Sequence, residues 1–151
     1  MLREAITDRM KTALRAKETR TLSTVRLIMA ALKDRDIAAR GTGNPDGIAE
    51  SEIQRMLQGM IKQRRESIEL YHKGNRPELA QQEADEIVVI ESFLPQQMDD
   101  AGTETAAKAA IAESGAAGIK DMGKVMAALR ERHAGIIDLA RAGAIVKKLL
   151  G

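Results

Sequence analysis

The side chains best suited to chemistry in this sequence are the basic residues near its C-terminus. Residues 118–151 contain seven lysines and arginines but only three acidic residues. Lys120 and Lys124 are four residues apart, so they share one face of a predicted helix. Such side chains can bind the phosphates of a folded RNA through charge and shape. The candidate nucleic-acid contacts are Lys120, Gly123, Lys124, Arg141, Lys147 and Lys148.

The sequence holds few of the residues that other kinds of site require. It has no cysteine, which excludes disulfides and thiolate chemistry. Its histidines, His72 and His133, lack further ligands at metal-binding spacing. The loop from Gly41 to Gly47 lacks the lysine and hydroxyl residue that end a phosphate-binding loop. We therefore expect no catalytic residue, no metal site and no cofactor.

Acidic residues form pairs at helical spacing, which is also the spacing that a general acid and base would need. Glu66 and Glu69 make one pair, and Glu83 and Glu86 make another. Catalysis would require one member of a pair to be buried with a shifted pKa. The neighbouring residues are polar, so we expect both pairs to lie on solvated helix faces.

Hydrophobic residues recur every three or four positions in the first two thirds of the chain, which predicts four helices. They are expected at about 2–18, 22–40, 51–73 and 77–94, with a break at Thr19 to Thr21. Gly41 is the expected end of the second helix, and Ser51 is the expected N-cap of the third. Pro77 fits the first turn of the fourth helix, where its missing N–H costs nothing.

Pro95 opens a polar linker to Gly102, and three shorter helices are expected beyond it. Thr103 and Asp138 are candidate N-caps within this segment. The predicted helices span about 103–114, 121–132 and 138–150. No run of residues alternates convincingly as a strand.

Composition agrees with a helical protein. Aromatic residues make up 1% of the chain, so the core must consist of aliphatic side chains and methionine, as in closely packed helices. No apolar run is long enough to span a membrane, and the N-terminus has no apolar signal segment, so we expect a cytoplasmic protein. The predicted fold class is all-α, with a four-helix bundle over 1–95 and a three-helix bundle over 96–151.

Several segments, in the order in which they occur, resemble the YqeY-like family. The segments are Val25–Lys33, Lys62–Glu69, Gly74–Leu79 with Glu83–Ile87, Phe93–Met98, and Asp121–Met126 with Gly135 behind it. Together they cover nearly the whole chain, and the resemblance implies two helical bundles. The Gly-Lys-Val-Met stretch from Gly123 is also similar to the tail domain of the GatB subunit of tRNA-dependent amidotransferases.

The resemblance implies a function in the handling of tRNA. In the amidotransferase, a carbon–nitrogen ligase that uses glutamine as amido donor, the tail helps to hold tRNA and the catalytic centres lie elsewhere. This chain has neither a kinase-like phosphate site nor an amidase serine–lysine arrangement. The resemblance therefore implies a non-catalytic, tRNA-binding accessory module, with amidotransferase or aminoacyl-tRNA synthetase components as candidate partners.

Two alternatives stay open. One is a protein–protein adapter that uses apolar or acidic surface such as 76–91, where five acidic residues accompany one base. The other is an enzyme that acts on an amide or an acyl-tRNA. One departure from the family pattern bears on this choice. After Gly135, Ile136 and Ile137 replace the usual basic and small residues, which removes a phosphate contact and favours a core or protein contact instead.

Overall fold

The structure, a computed structural model, describes residues 1–151 and contains helices without strands, which confirms the all-α prediction. The helices are α1 (Leu2–Arg15), α2 (Thr19–Gly41), α3 (Glu50–Lys73), α4 (Pro77–Glu91), α5 (Asp100–Ser114), α6 (Met122–Arg132) and α7 (Leu139–Leu150). A short 3-10 helix, Ile119–Asp121, precedes α6. None of these helices has the length and apolar character needed to cross a membrane.

The chain divides into two compact units, Met1–Leu94 (unit 1) and Pro95–Gly151 (unit 2). In unit 1, α3 and α4 form the most extensive helix pair, α1 packs on α2, and α2 packs on α4. Burying one large aliphatic side chain contributes roughly 1.5–3 kcal/mol. The core consists of Leu2, Ile6, Val25, Ile28, Leu32, Ile53, Met56, Leu57, Ile61, Ile90 and Leu94.

One charged side chain lies within this packing. The carboxylate of Asp36 accepts hydrogen bonds from Arg3 Nη2 at 2.8 Å and from the Ile48 N–H at 2.9 Å, and Arg3 Nη1 donates to its second oxygen. Arg3 Nη2 also donates to the Ile48 carbonyl at 2.7 Å. The hydrogen-bonded guanidinium of Arg3 lowers the pKa of Asp36, and the Ile48 N–H acts in the same direction. These bonds tie α1, α2 and the loop before α3 together.

Two predicted helix starts in unit 1 are wrong. α2 begins at Thr19, because the break falls at Ala16–Glu18, where Lys17 takes a left-handed conformation with φ of 57°. α3 begins at Glu50 and not at Ser51, because the Glu52 carboxylate accepts the N–H of Ala49 at 3.0 Å. Backbone conformation therefore moves the start of α2 toward the N-terminus, and a side-chain bond to the backbone does so for α3.

α1 ends at Arg15 and α4 at Glu91, so the predicted ends at 18 and 94 are each wrong by three residues. The remaining helix ends in unit 1 lie close to the predicted positions. Gly41 is the last residue of α2, although the left-handed position falls two residues later, at Gly43, with φ of 96°. Gly74 follows the last residue of α3, and Pro77 is the first residue of α4 as predicted.

Unit 2 has a smaller core that is rich in alanine. α5 packs against α6 and α7, and α6 packs against α7. Because the side chains of the alanines in α5 are small, α6 and α7 can pack close to the axis of α5. The core consists of Ala106, Ala107, Ala110, Val125, Leu129, Ile137, Ala142 and Val146.

The N-caps of unit 2 are aspartates. Asp99, and not the predicted Thr103, caps α5, since its carboxylate accepts the Gly102 N–H at 2.7 Å. Thr103 is buried in the first turn, and its hydroxyl donates to the Asp99 carbonyl at 2.7 Å. Asp138 caps α7 as predicted, and it accepts the N–H groups of Ala140 and Arg141 at 3.0 and 3.2 Å.

Asp138→Ala is expected to lower the free energy of unfolding by about 1 kcal/mol, because two amide groups of α7 lose their acceptor. Urea unfolding followed by far-UV circular dichroism measures the loss. Asp138→Asn is the matched control, since it keeps an acceptor oxygen and should remain close to wild type. Equal stability of the alanine and asparagine variants would contradict the capping assignment.

Candidate nucleic-acid interface

The C-terminal end of α7 meets the 3-10 helix of unit 2. A Cβ placed on Gly151 would lie 3.4 Å from Ile119 Cδ1, which shows how closely this helix approaches the end of the chain. Lys120 follows Ile119 directly, and Lys147 and Lys148 occupy the last turn of α7. All three lysines are exposed. The structure therefore brings three of the six predicted contact residues to one end of unit 2.

These three lysines, which we call the lysine end, have no acidic partner within ion-pair distance. Other bases of unit 2 do: Lys108 lies 3.1 Å from Glu104, and Arg132 pairs with Glu113. An exposed cation whose charge is not already compensated by a carboxylate remains available to an incoming anion. The lysine end thus has charge that the fold itself does not use in ion pairs.

Lys124 is exposed but points to another side of α6. α6 faces α7 through Met122 and Met126, whose methyl carbons would lie 3.6 and 3.9 Å from a Cβ on Gly143. Lys124 is two residues from each methionine, which places it roughly 200° around the helix from both. Lys124 therefore does not lie on the side of α6 that faces α7. Lys147, which follows Gly143 by one turn of α7, is on the facing helix, so the structure does not place Lys124 with the lysine end.

Arg141 lies at the other end of α7 and has two acidic neighbours. Its Nη1 atom is 3.1 Å from Asp100 Oδ1, and its Nε atom is 4.0 Å from Asp138 Oδ2. Seven residues separate Arg141 from Lys148, which corresponds to about 10 Å along the helix. The structure separates Arg141 from the lysine end and pairs it with acids within unit 2.

Arg130 is a basic residue that the sequence-based prediction of contacts missed. It is exposed on α6 and forms no ion pair. It follows Gly123 by seven residues, so the two share one face of α6. That spacing is the signal in the sequence that identifies it.

Gly123 faces open space. Apart from the adjacent residues and the backbone of α6 itself, no atom lies within 4 Å of the position that a Cβ on Gly123 would occupy. No other helix of unit 2 packs against Gly123, so this position is open to close approach by an external backbone.

Gly123→Ala is expected to raise the stability of the protein slightly, by up to about 0.5–1 kcal/mol, since alanine is the better helix former and the site has room. If an RNA backbone approaches Gly123 closely, the same substitution lowers RNA affinity. Thermal unfolding and RNA titration of one preparation separate the two effects. Ala127→Gly, at an exposed position of α6, is the converse control and should lower stability only.

The turn that departs from the family pattern is fixed to the start of unit 2. Gly135 has φ of 81°, a conformation that favours glycine, and its carbonyl accepts Gln97 Nε2 at 2.8 Å. The Ile136 carbonyl accepts the N–H of Met98 at 2.8 Å. Ile137 is buried in the core of unit 2. Ile137 therefore extends the core, one of the two outcomes expected from the sequence.

The two glutamate pairs differ in their environment. Glu66 and Glu69 are exposed, as expected. Glu83 and Glu86 are half-buried, so the expected solvated face is wrong for this pair. Arg64 Nε lies 2.7 Å from Glu86 Oε2. Burial raises the pKa of Glu83, and the charge of Glu86 adds to that effect.

The histidines lie apart from any metal-binding arrangement. His72 is exposed near the end of α3, and His133 is half-buried after α6. No three side chains of the acidic, histidine or cysteine type are grouped so as to hold a metal ion.

Two comparisons with known proteins give matches. A family model described as "Yqey-like protein" matches residues 3–150. "Altered inheritance of mitochondria protein 41, mitochondrial" from Lachancea thermotolerans is 31% identical over 87 residues, which make up 58% of this chain and 44% of that protein. The match thus spans less than half of the relative's length. Because the family model covers nearly the whole chain, this protein belongs to the YqeY-like family.

Proposed function

We propose that this chain is a non-catalytic accessory module that binds folded RNA, with tRNA as the RNA, at the lysine end of unit 2. One observation carries the proposal: Lys120, Lys147 and Lys148 are exposed at one end of the unit and have no carboxylate partner. Lys124 and Arg130 would extend the contact around α6. Arg141 would hold Asp100 and so join the starts of α5 and α7.

The chemistry of this surface favours a folded RNA over a single strand. Tyr71 and Phe93 lie in unit 1, so unit 2 offers no phenyl or phenol ring on which a base can stack, and its one imidazole, that of His133, is half-buried. Lysine ammonium groups bind phosphates as point charges and read the shape of the backbone. Lys147 and Lys148 also interact favourably with the dipole of α7, because they lie in its last turn. That interaction contributes about 0.3–1 kcal/mol of stability for each lysine, but it does not contribute to binding.

The proposed setting is the cytoplasm, beside an enzyme that handles aminoacylated tRNA, such as a tRNA-dependent amidotransferase or an aminoacyl-tRNA synthetase. The similarity of Gly123–Met126 to the GatB tail supports this setting. The name of the curated relative refers to mitochondria, and the same chemistry applies to an organellar tRNA. The second candidate function, a protein adapter without RNA contact, is favoured by a groove on unit 1 that is described below.

The proposal is tested by titrating fluorescently labelled tRNA with the full chain at several salt concentrations. Affinity should fall steeply with salt, with a log–log slope of roughly −2 to −4 for three to four phosphate contacts. Lys147→Ala should reduce the slope by about 1. Arg132→Ala, whose side chain pairs with Glu113, is the matched control and should leave the slope unchanged. Binding that is absent, or indifferent to salt, would refute the proposal.

A further inference from the structure

Two surface grooves of unit 1 differ in charge. The larger one, of about 670 Å³, lies between α2 and α4, and its charged groups are engaged in ion pairs. Arg20 spans it to Asp85 at 3.5 Å, and Glu86 binds Arg64 at 2.7 Å. This groove therefore presents little uncompensated charge to a ligand.

The smaller groove, of about 380 Å³, lies between α1 and α2 and combines an apolar floor with a basic rim. The floor is formed by Ile6, Met29, Leu32 and Ile37. Lys33 and Arg40 form the rim and have no ion-pair partner. Arg3 also lines the groove, but Asp36 and the Ile48 carbonyl already bind its guanidinium. The unpaired charge of this groove is therefore that of Lys33 and Arg40.

The outer face of α2 continues this groove with the spacing of a helix-pairing seam. Residues 26, 30, 33, 37 and 40 alternate steps of four and three, which is the spacing of the contact positions of a coiled coil. Arg26, Lys33 and Arg40 are exposed at seven-residue intervals, and Ala30 and Ile37 lie between them. Ile37 is 54% exposed, which is high for an isoleucine beside an apolar groove. No other helix of unit 1 covers this seam.

Acidic residues of α1 do not neutralise the seam. Glu4 and Asp8 are exposed and lie roughly 160–200° around α1 from Ile6, the residue of α1 on the groove floor. The buried acid of α2, Asp36, is already bound by Arg3. The exposed Asp34 lies beside the seam on α2, and the charge of Arg40 contributes to lowering the pKa of Asp36, but no carboxylate forms an ion pair with a base of the seam. The seam therefore combines aliphatic contacts with three bases that have no ion-pair partner.

We propose that this groove docks an acidic amphipathic helix of a protein partner. The partner's apolar side chains would lie on Ala30 and Ile37, and its glutamates or aspartates would pair with Arg26, Lys33 and Arg40. The apolar floor and the exposed Ile37 favour a protein helix over nucleic acid, because phosphate contacts do not require buried aliphatic surface. The seven-residue interval between the bases equals the heptad repeat, so acidic residues spaced seven apart on a partner helix could pair with them. The surface belongs to unit 1 and is independent of the lysine end.

The test uses the full chain and two synthetic helical peptides that share leucines at heptad positions. One peptide carries glutamate at the flanking positions, and its twin carries lysine. Fluorescence anisotropy should show binding of the glutamate peptide at least about tenfold tighter than of the twin. Lys33→Glu/Arg40→Glu should weaken it by at least about tenfold. Arg35→Glu/Arg55→Glu, which changes two exposed unpaired arginines elsewhere in unit 1, should leave it unchanged.

If Lys33→Glu/Arg40→Glu unfolds, a second variant and a second measurement still test the proposal. Ile37→Ser removes the apolar contact without changing charge and should weaken the glutamate peptide by several fold. In the wild type, the δ1 methyl signal of Ile37 should shift on titration. Equal binding of both peptides, no binding of either, or loss of tRNA binding in Lys33→Glu/Arg40→Glu without any peptide effect would overturn it. The last result would assign the groove to nucleic acid.

Discussion

Asp36→Ala should lower the free energy of unfolding of unit 1 by about 2–4 kcal/mol. The substitution leaves the guanidinium of Arg3 without its partner and the N–H of Ile48 without an acceptor. Arg3 is partly exposed, so water can solvate part of its charge and the loss falls below that of a fully buried pair. Tyr71 is the single tyrosine of a chain without tryptophan and lies in unit 1, so its fluorescence in a urea titration reports this unit.

The same ion pair predicts how stability depends on pH. Because the folded state holds the pKa of Asp36 below its ordinary value of about 3.9, the unfolded state binds more protons near that pH. The stabilisation is therefore fully present above about pH 4 and is lost as pH falls through the lowered pKa. Asp36→Asn should lack this part of the acid sensitivity. A variant with the same acid dependence as wild type would assign that dependence to other carboxylates.

Two glycines provide a matched control for the network around Asp36. Gly43 and Gly47 both have positive φ, of 96° and 85°. A Cβ on Gly47 would overlap Asp36 Oδ1, whereas the position of one on Gly43 has no neighbour within 4 Å outside the adjacent residues. Gly43→Ala should cost about 1–2 kcal/mol from backbone conformation alone. Gly47→Ala should cost clearly more, and similar losses would contradict the close approach of the loop to Asp36.

The sequence predicts the existence of the helices much better than their ends. Apolar spacing identifies the four helices of unit 1, because one buried face suffices to reveal a 3.6-residue period. The starts of α2 and α5 depend on local geometry that this period does not contain. Lys17 takes a left-handed conformation, and the carboxylate of Asp99 reaches the Gly102 N–H. The 3-10 helix before α6 is too short to show any period.

The candidate site shows the same limit at longer range. The spacing of Lys120, Lys147 and Lys148 identifies exposed bases, but their proximity depends on the close approach of Ile119 to the end of the chain, which no local pattern encodes. Arg141 resembles these lysines in sequence, yet its partner Asp100 lies 41 positions away. Asp36 occupies an apolar stripe, and only the fold shows that Arg3, 33 positions away, neutralises it. The contacts between residues far apart in the sequence therefore could not be predicted from the sequence alone.

Reversing the charge of the lysine end, with Lys120→Glu, Lys147→Glu and Lys148→Glu together, should weaken tRNA binding by at least about 100-fold, or about 2.7 kcal/mol. Each substitution removes one ammonium group and adds a carboxylate that repels phosphate. None of the three lysines is buried or ion-paired, so the fold should survive. Far-UV circular dichroism checks the fold, and anisotropy of labelled tRNA at fixed salt measures the affinity.

The control for this triple variant must change net charge by the same amount at another surface. Arg55, Lys62 and Lys73 of α3 are likewise exposed and unpaired, and their joint replacement by glutamate should cost only the long-range part of the attraction. That part is screened at ionic strengths where the Debye length is about 10 Å or less. Above roughly 0.1 M salt the two triple variants should therefore separate clearly. Equal losses in both would show that tRNA responds to the overall charge of the chain and not to a surface on unit 2.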